Sequence, residues 1–357
     1  MRLCSWGAAI DSDNNIWLPV TGTECVIKRD GTGNVSLAGK LDSDKYAGGF
    51  ILKSFSIDDE VFFFSRFAYE MWVLNKTTMK VEHIPYCESD CTGVADVMID
   101  GRRAWVFPTS FKWPLVKVDL DDFSGRIISW SNNPYEDSTA FIRAQRDSNI
   151  IYTATRKIDD VYLCEVNTEK ESVQFERLNV RMINCIFVVR DNCWALALNK
   201  QGETVLQKYE KGFKILKEEY VLNDMEPVDE TGRLYYFNLF VFRELVYFIP
   251  SSARRIYVYN LRTQTGQFLE YPRELTSNRE CGDELTFADT QYDQGIVYLF
   301  PHHFKQLIKL ALANSAINLI TFDYDGDLIF DMLADKGISN ENQIIGLSDF
   351  IKLAARG

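Results

Sequence analysis

Basic side chains recur in the short polar stretches that separate the apolar runs of this chain: Arg66, Lys112, Arg156 with Lys157, Lys200, Arg254 with Arg255, and Lys305. Aromatic or imidazole side chains stand beside several of them, at Phe67, Tyr69, Phe111, Trp113, His302, His303 and Phe304. Guanidinium and ammonium groups next to rigid rings can hold an anionic ligand, a sugar or an acidic peptide. The candidate ligand-binding residues are therefore Arg66, Tyr69, Lys112, Trp113, Arg156, Lys200, Arg254, Arg255, His302 and Lys305. Lys and Arg are also ordinary loop residues, so this grouping has meaning only in a fold that gathers the loops. Other links carry the opposite sign, with Asp42, Asp44, Glu88, Asp90, Glu136, Asp137, Asp224, Glu226, Glu280 and Asp283. Acids and bases on one face would make a zwitterionic mouth, which suits a saccharide at least as well as a strong anion.

Other chemistries lack their residues. The histidines are His83, His302 and His303, and adjacent histidines at a strand end point to opposite sides. Cys87-Glu88-Ser89-Asp90-Cys91 has the wrong spacing for a zinc knuckle, with no second cysteine pair nearby. Asp323-Tyr324-Asp325-Gly326-Asp327 begins like a calcium loop, but Gly comes too early and no Glu closes the loop. An Asp-Gly hairpin turn is the expectation there. No nucleophile elbow and no phosphate-cradling glycine loop occur. We expect no metal and no cofactor. Paired carboxylates from distant segments could flank a glycosidic bond, yet the sequence brings no particular pair together, so no catalytic residue is assigned.

Composition narrows the partners. The chain has 357 residues with 51 acidic and 39 basic side chains, a formal net charge of -12. That balance disfavours nucleic acid and anionic membrane surfaces as partners. No apolar stretch approaches the roughly 18 residues that a membrane span needs, and Met1-Arg2-Leu3-Cys4-Ser5-Trp6 has no leader-like apolar run. Of eight cysteines, Cys164 and Cys193 sit inside apolar runs, as reduced buried thiols do. A reduced, cytoplasmic protein is the expectation.

The elements that would position the loops repeat. Runs of apolar residues open at Ile16, Phe62, Trp105, Tyr152, Trp194, Tyr247 and Tyr298, in steps of 46, 43, 47, 42, 53 and 51 residues. The sixth unit is the clearest. Leu245-Val246-Tyr247-Phe248-Ile249-Pro250 has the length of a buried strand and ends in proline, which cannot donate to a ladder. Ile256-Tyr257-Val258-Tyr259 follows, then a turn from Asn260 to Gly266, then an outer strand over Gln267–Tyr271. An inner strand is predicted at Leu234–Phe237. Comparable turns fall at Asp30–Gly33 and Asn75–Thr78, and at Gly125 in the third unit. Strand-type units at this period, apolar on both faces, predict an all-β, seven-bladed β-propeller of four-stranded antiparallel blades. Ring closure would pair Arg2–Ser5 with Asn318–Phe322.

These phrases and Asn/Asp turns resemble the seven-bladed β-propeller superfamily, loosely its kelch-like and WD40-like groups, over residues 1–322. The doublet Gly48-Gly49 does not recur as in kelch blades, and no Trp-Asp pair closes the blades, so no family's active site carries over. The resemblance implies that the loops between second and third strands share the channel mouth with the links between blades. Residues 323–357 form a separate extension: Ser339 can cap a helix with Ile344, Ile345, Leu347, Phe350, Ile351 and Leu353 on its apolar side. It would pack on the propeller or dock a partner. The function expected is non-catalytic recognition or scaffolding, with a saccharide or a peptide or protein bound at the channel mouth. The alternative is a carbohydrate-active hydrolase or lyase using carboxylates and bases at that mouth.

Overall fold

The computed structural model describes residues 7–20, 25–41, 51–89, 91, 93–130, 133–134, 141–155, 157–189, 192–225, 236–251, 255–272, 287–301 and 306–323. These residues form seven four-stranded sheets, each a simple antiparallel meander of consecutive strands. The inner strands, blades 1 to 7, are Ala9–Ile10, Ile51–Ile57, Val94–Asp100, Gln145–Asp147, Met182–Val189, Tyr236–Phe242 and Phe287–Asp293. The second strands carry the apolar phrases, at Ile16–Val20, Glu60–Ser65, Arg103–Pro108, Ile150–Ala154, Asn192–Leu198, Leu245–Pro250 and Ile296–Pro301. The protein is a seven-bladed β-propeller.

Burial explains why those phrases are unbroken. Each second strand presents alternate side chains to the blade on either side. In blade 2, Phe63 packs with Trp17 and Val26 of blade 1, while Phe62 and Phe64 pack with Val106 and Val116 of blade 3. Trp105 and Phe107 then meet Ile151 and Cys164 of blade 4, and Tyr152 meets Cys193 and Ala195 of blade 5. One cluster joins Trp194, Tyr247 and Leu299 across blades 5, 6 and 7. Tyr298 and Phe300 of blade 7 pack on Ile16 and Leu18 of blade 1 and close the ring. Each large side chain so buried contributes about 1.5–3 kcal/mol. Polar bonds reinforce the contacts: Tyr247 donates its hydroxyl hydrogen to the Leu312 carbonyl at 2.7 Å, and Arg29 Nε donates to the Thr321 carbonyl at 2.8 Å.

The outer hairpin turns follow their predicted chemistry. Asn75 Oδ1 accepts from the Thr78 backbone N–H at 2.9 Å, Asn260 Oδ1 from Arg262 at 2.9 Å, and Asp30 Oδ1 from Thr32 at 2.9 Å. Asn167 repeats the device in blade 4, bonding the Lys170 N–H at 2.8 Å. These short polar side chains replace a backbone acceptor in the turn.

Three features differ from the sequence expectation. The inner strand of blade 6 runs Tyr236–Phe242 rather than ending at Phe237. Asn238 does not stop it, because its side chain is used internally: Oδ1 accepts from the Leu239 N–H at 2.9 Å and Nδ2 donates to Thr290 Oγ1 at 2.9 Å. Outer strand Thr265–Phe268 begins within the predicted turn. Gly125 opens the outer strand Gly125–Ile128 instead of lying in a turn. Blade 7 has four consecutive strands of its own, ending with Ala316–Thr321. The proposed closing partner Arg2–Ser5 and the helix over 339–357 lie outside the described residues.

Gly125 is required by close approach. A Cβ there would collide with the carbonyl oxygen of Tyr86, which follows the outer strand of blade 2. Backbone cannot swing aside as a flexible side chain can. Gly125→Ala is expected to destabilise the protein by at least about 2 kcal/mol, read as a lower urea midpoint with an unchanged m-value.

Candidate functional site in the channel

The inner strands carry polar residues at a fixed place. Nine positions before the opening residues Phe62, Trp105, Tyr152, Trp194, Tyr247 and Tyr298 stand Lys53, Asp96, Arg143, Cys185, Asn238 and Asp289. A register shift next to Lys53, Asp96, Cys185, Asn238 and Asp289 marks a β-bulge in five of these blades. Bulges bend a strand and re-aim the adjoining side chain. The result is one level in the channel where charges from different blades meet.

Asp289 is the hub. Its Oδ1 accepts from Lys53 Nζ at 2.9 Å and from Arg143 Nη1, so blades 2, 4 and 7 converge on one carboxylate. Lys53 Nζ also lies 3.7 Å from Asp96 Oδ1. Asp96 uses its other oxygen to accept from the Ala144 backbone N–H at 2.7 Å. The side chains of Asp289 and Asp96 are 1% and 3% exposed. Arg143 also lies over the Phe237 ring, 4.6 Å from its centroid. Arg66 approaches from the loop after the second strand of blade 2 and donates to the Val94 carbonyl at 2.8 Å. Burial pulls the Arg66 guanidinium below its usual pKa, Arg143 adds to that, and Asp96 opposes it. Buried charges of this kind persist only when paired, because desolvation alone costs several kcal/mol per ion.

From this level a cavity of about 630 Å³ extends along the channel to the turn of the first hairpin in blade 1, at Asp11, Ser12 and Asn14. Phe187, Phe240 and Tyr292 of blades 5, 6 and 7 give its wall an aromatic side, and Phe55 of blade 2 also lines it. Phe240 and Tyr292 stack with centroids 5.5 Å apart and planes 20° apart, and Phe187 meets Phe240 edge-on. Tyr292 is 49% exposed, so one ring face is available to a ligand. Gln145 and Gln291 add amides to the same wall. The cavity thus pairs a charged floor with stacking surfaces and neutral hydrogen-bonding groups.

The residues predicted from the loops scatter. Among those described, Arg66 reaches the charged cluster. Tyr69 is buried between blades 2 and 3 and donates to the Pro114 carbonyl; burial, with Cys91 next, pushes its phenol well above the usual range. Trp113 packs at that interface, and its carbonyl accepts from Trp130 Nε1 at 2.8 Å. Lys112 and Lys200 are exposed. Arg255 is exposed and pairs with Glu270 at 2.6 Å. Arg156, Arg254, His302 and Lys305 lie outside the described residues. Lys53, Asp96, Arg143, Asn238 and Asp289 were not singled out in the sequence, although their constant offset from the aromatic openings is readable there. No group of three or more His, Cys, Asp or Glu among the described residues is placed to hold a metal ion.

A half-buried carboxyl outside the channel, Glu165, lies between blades 4 and 5. Burial raises the pKa of Glu165, Glu176 adds to this and Lys214 opposes it; its Oε1 has no hydrogen-bond partner among the described residues. A carboxyl with a raised folded-state pKa weakens the fold once ionised, and that penalty fades as pH falls toward the unfolded value near about 4.3. Glu165→Gln should therefore raise the thermal midpoint at pH 7, with the gain shrinking between pH 7 and pH 4. In the channel, Asp289→Ala leaves two cations short of their shared acceptor. It should cost about 3 kcal/mol in urea unfolding, and Asp289→Asn, which keeps an acceptor, should cost less.

No family model matches the chain, and no curated protein matches it. Solved structures share its fold. A catalytically inactive virginiamycin B lyase from Staphylococcus aureus, crystallised with quinupristin, superposes with a TM-score of 0.61 at 11% identity, covering 84% of this chain and 92% of that one. The extracellular domain of a one-component system from B. thetaiotaomicron gives 0.58 at 14% identity over 85% of this chain, which spans 38% of that chain's length. BamB from Moraxella catarrhalis gives 0.52 at 9% identity, with 85% and 81% covered. A lyase, the extracellular domain of a one-component system and BamB share this one architecture. The chain is a seven-bladed β-propeller, and its likeness to these proteins is a likeness of fold alone.

Proposed function

We propose that this propeller is a non-catalytic recognition protein that takes a polar ligand of the saccharide class in its channel. The observation that carries the reading is the channel cavity itself, in which ion-paired charges lie at one level and stacked rings with amides line the wall. Its volume of about 630 Å³ falls within the range usual for small-ligand sites, about 300–1,000 Å³. The charges on the cluster level are largely spent on each other, so a ligand gains from them as fixed dipoles and hydrogen-bonding groups rather than as bare charge. The exposed ring of Tyr292 offers an apolar face at the cavity edge, and the Gln145 amide can donate and accept, whereas Gln291 Nε2 already donates to the Ala8 and Ser54 carbonyls. Peptide or protein recognition uses the same groups and is the competing form of this reading.

A hydrolase or lyase is the second reading, favoured by the two carboxylates, Asp96 and Asp289, within reach of one lysine. Both oxygens of Asp96 are engaged, by Lys53 and by the Val97 and Ala144 backbone N–H groups, and Asp289 Oδ1 is shared by Lys53 and Arg143. A catalytic carboxyl needs an oxygen free to meet the scissile bond, and this engagement supports binding over turnover.

Tyr292→Ala removes a half-exposed ring that the fold does not need for closure. Ligand affinity measured by calorimetry should fall about tenfold, equivalent to about 1.4 kcal/mol, with the thermal midpoint little changed. Turnover of a saccharide panel that disappears in Asp289→Asn, while that variant stays folded, would replace the recognition reading with the enzymatic one. A glycan panel without a binder, alongside a stoichiometric protein recovered on the immobilised propeller, would turn it into a scaffold.

A further inference from the structure

A second cavity, of about 850 Å³, opens between blades 5 and 6, and Tyr292 borders both it and the channel. Trp194, Tyr220 and Phe242 form part of its wall, and Lys208, Arg243 and Arg262 its basic groups. The cations differ in what they face. Lys208 is neutralised by Glu218 at 2.7 Å. Arg243 and Arg262 are exposed and have no carboxylate partner among the described residues; the Arg243 guanidinium lies 5.4 Å from the centroid of the Phe242 ring. Glu244 borders the same cavity without an ion pair to either arginine. Two guanidiniums without an ion-pair partner among the described residues thus line one groove of a chain whose net charge is -12. The backbone fixes both: Arg243 takes a left-handed φ of 56° in its hairpin turn, and the Arg262 N–H is held by Asn260 Oδ1 at 2.9 Å.

Trp194 supplies an independent sign. Its indole Nε1–H is buried with no acceptor among the described residues. A buried donor left unsatisfied is destabilising. This one belongs to a residue in the wall of an open groove, with the Lys208 ammonium 5.5 Å from the centroid of its ring.

We propose that this groove is a second subsite, which takes the anionic group of an acidic saccharide whose neutral part occupies the channel. The inference rests on the channel reading and extends it from one cavity to two. Guanidinium groups recognise planar or tetrahedral oxyanions through paired N–H donors, so a uronate carboxylate and a sulfate ester are equivalent here. Tyr292, shared by both cavities, is the wall over which such a ligand passes. Joining two modest subsites through one molecule raises affinity by effective concentration rather than by new contacts.

The test is an array of glycans in matched sets, each backbone present in neutral, uronate-bearing and sulfated form, followed by calorimetry on the pairs that bind. The acidic members should bind about tenfold tighter than their neutral counterparts at low salt, and the difference should shrink at high salt. The double variant Arg243→Gln, Arg262→Gln should erase the difference while leaving neutral-glycan affinity and the thermal midpoint unchanged. Preference for uronate over sulfate, or the reverse, identifies which oxyanion fits. Equal binding of neutral and acidic members, or a preference that survives the double substitution, overturns the subsite and leaves the channel reading standing. Binding of no glycan overturns both, as does selective capture of acidic peptides in their place.

Discussion

A sheet that is apolar on both faces must be covered on both, and the closed ring of this molecule follows from that constraint. Phe62, Phe63 and Phe64 are consecutive, all fully buried, and point alternately toward the blades before and after their own. No single blade can satisfy such a strand. A linear stack would leave two end faces exposed, so the chain closes on itself, with Tyr298 and Phe300 against Ile16 and Leu18. Closure then sets the inner strands around an axis and creates the channel as a by-product of packing. The stability of each blade is therefore borrowed from two neighbours, as in other repeat architectures, but here without a free terminus.

The channel is where the constraint leaves a choice. Inner-strand residues at the cluster level have no neighbouring sheet to cover them, and apolar residues there would have sufficed for folding. Instead Lys53, Asp96, Arg143 and Asp289 come together from four blades. Replacing buried ion pairs by well-packed apolar groups is often neutral or stabilising, so stability alone does not account for them. What they do provide is cross-ring specificity. Asp289 accepts from blades 2 and 4 at once, which fixes the relative positions of three sheets that otherwise share no hydrogen-bonded ladder. That arrangement is a preorganised polar floor, and preorganisation is what a binding site needs when its ligand is itself polar.

How much of this was legible differs by element. The second strands could be read because burial on both faces demands an unbroken apolar run, and proline or a polar loop then ends it. The turns at Asp30, Asn75 and Asn260 could be read because those residues act locally, through their own backbone neighbours. The inner strands were harder. The expected inner strand of blade 6 stopped at Phe237, whereas Asn238, with its tertiary bond to Thr290 and the bulge before it, is part of the strand. Lys53 in Ile51-Leu52-Lys53-Ser54-Phe55 reads as a solvent-side residue of an alternating strand, and nothing local announces a carboxylate donated from the far end of the chain. The loop bases were legible as charges, but not their destinations. Arg66 turns inward to the cluster, while Arg255 pairs with Glu270 on the surface. Contacts of large sequence separation set those destinations, and a single sequence carries little trace of them beyond the nine-residue offset.

That offset also says why the site is asymmetric in a molecule built from repeats. Six of the seven repeats place a side chain at this offset, and these are Lys, Asp, Arg, Cys, Asn and Asp, with Gly7 at the matching place in blade 1. A ring of identical charges would repel itself in a low-dielectric channel, where like charges cost far more than in water. Alternating signs remove the repulsion, and pairing then consumes most of the charge within the ring. Selectivity must in consequence come from groups outside the paired level, where the wall is free to vary. Blades 5 to 7 meet that need. Phe187, Phe240 and Tyr292 form one continuous aromatic surface, with two contacts edge-on and one stacked, and it extends from the channel onto the face between blades 5 and 6. The ring of charges holds the scaffold in register, and the aromatic side, which closure does not depend on, is the part of the channel able to change with the ligand.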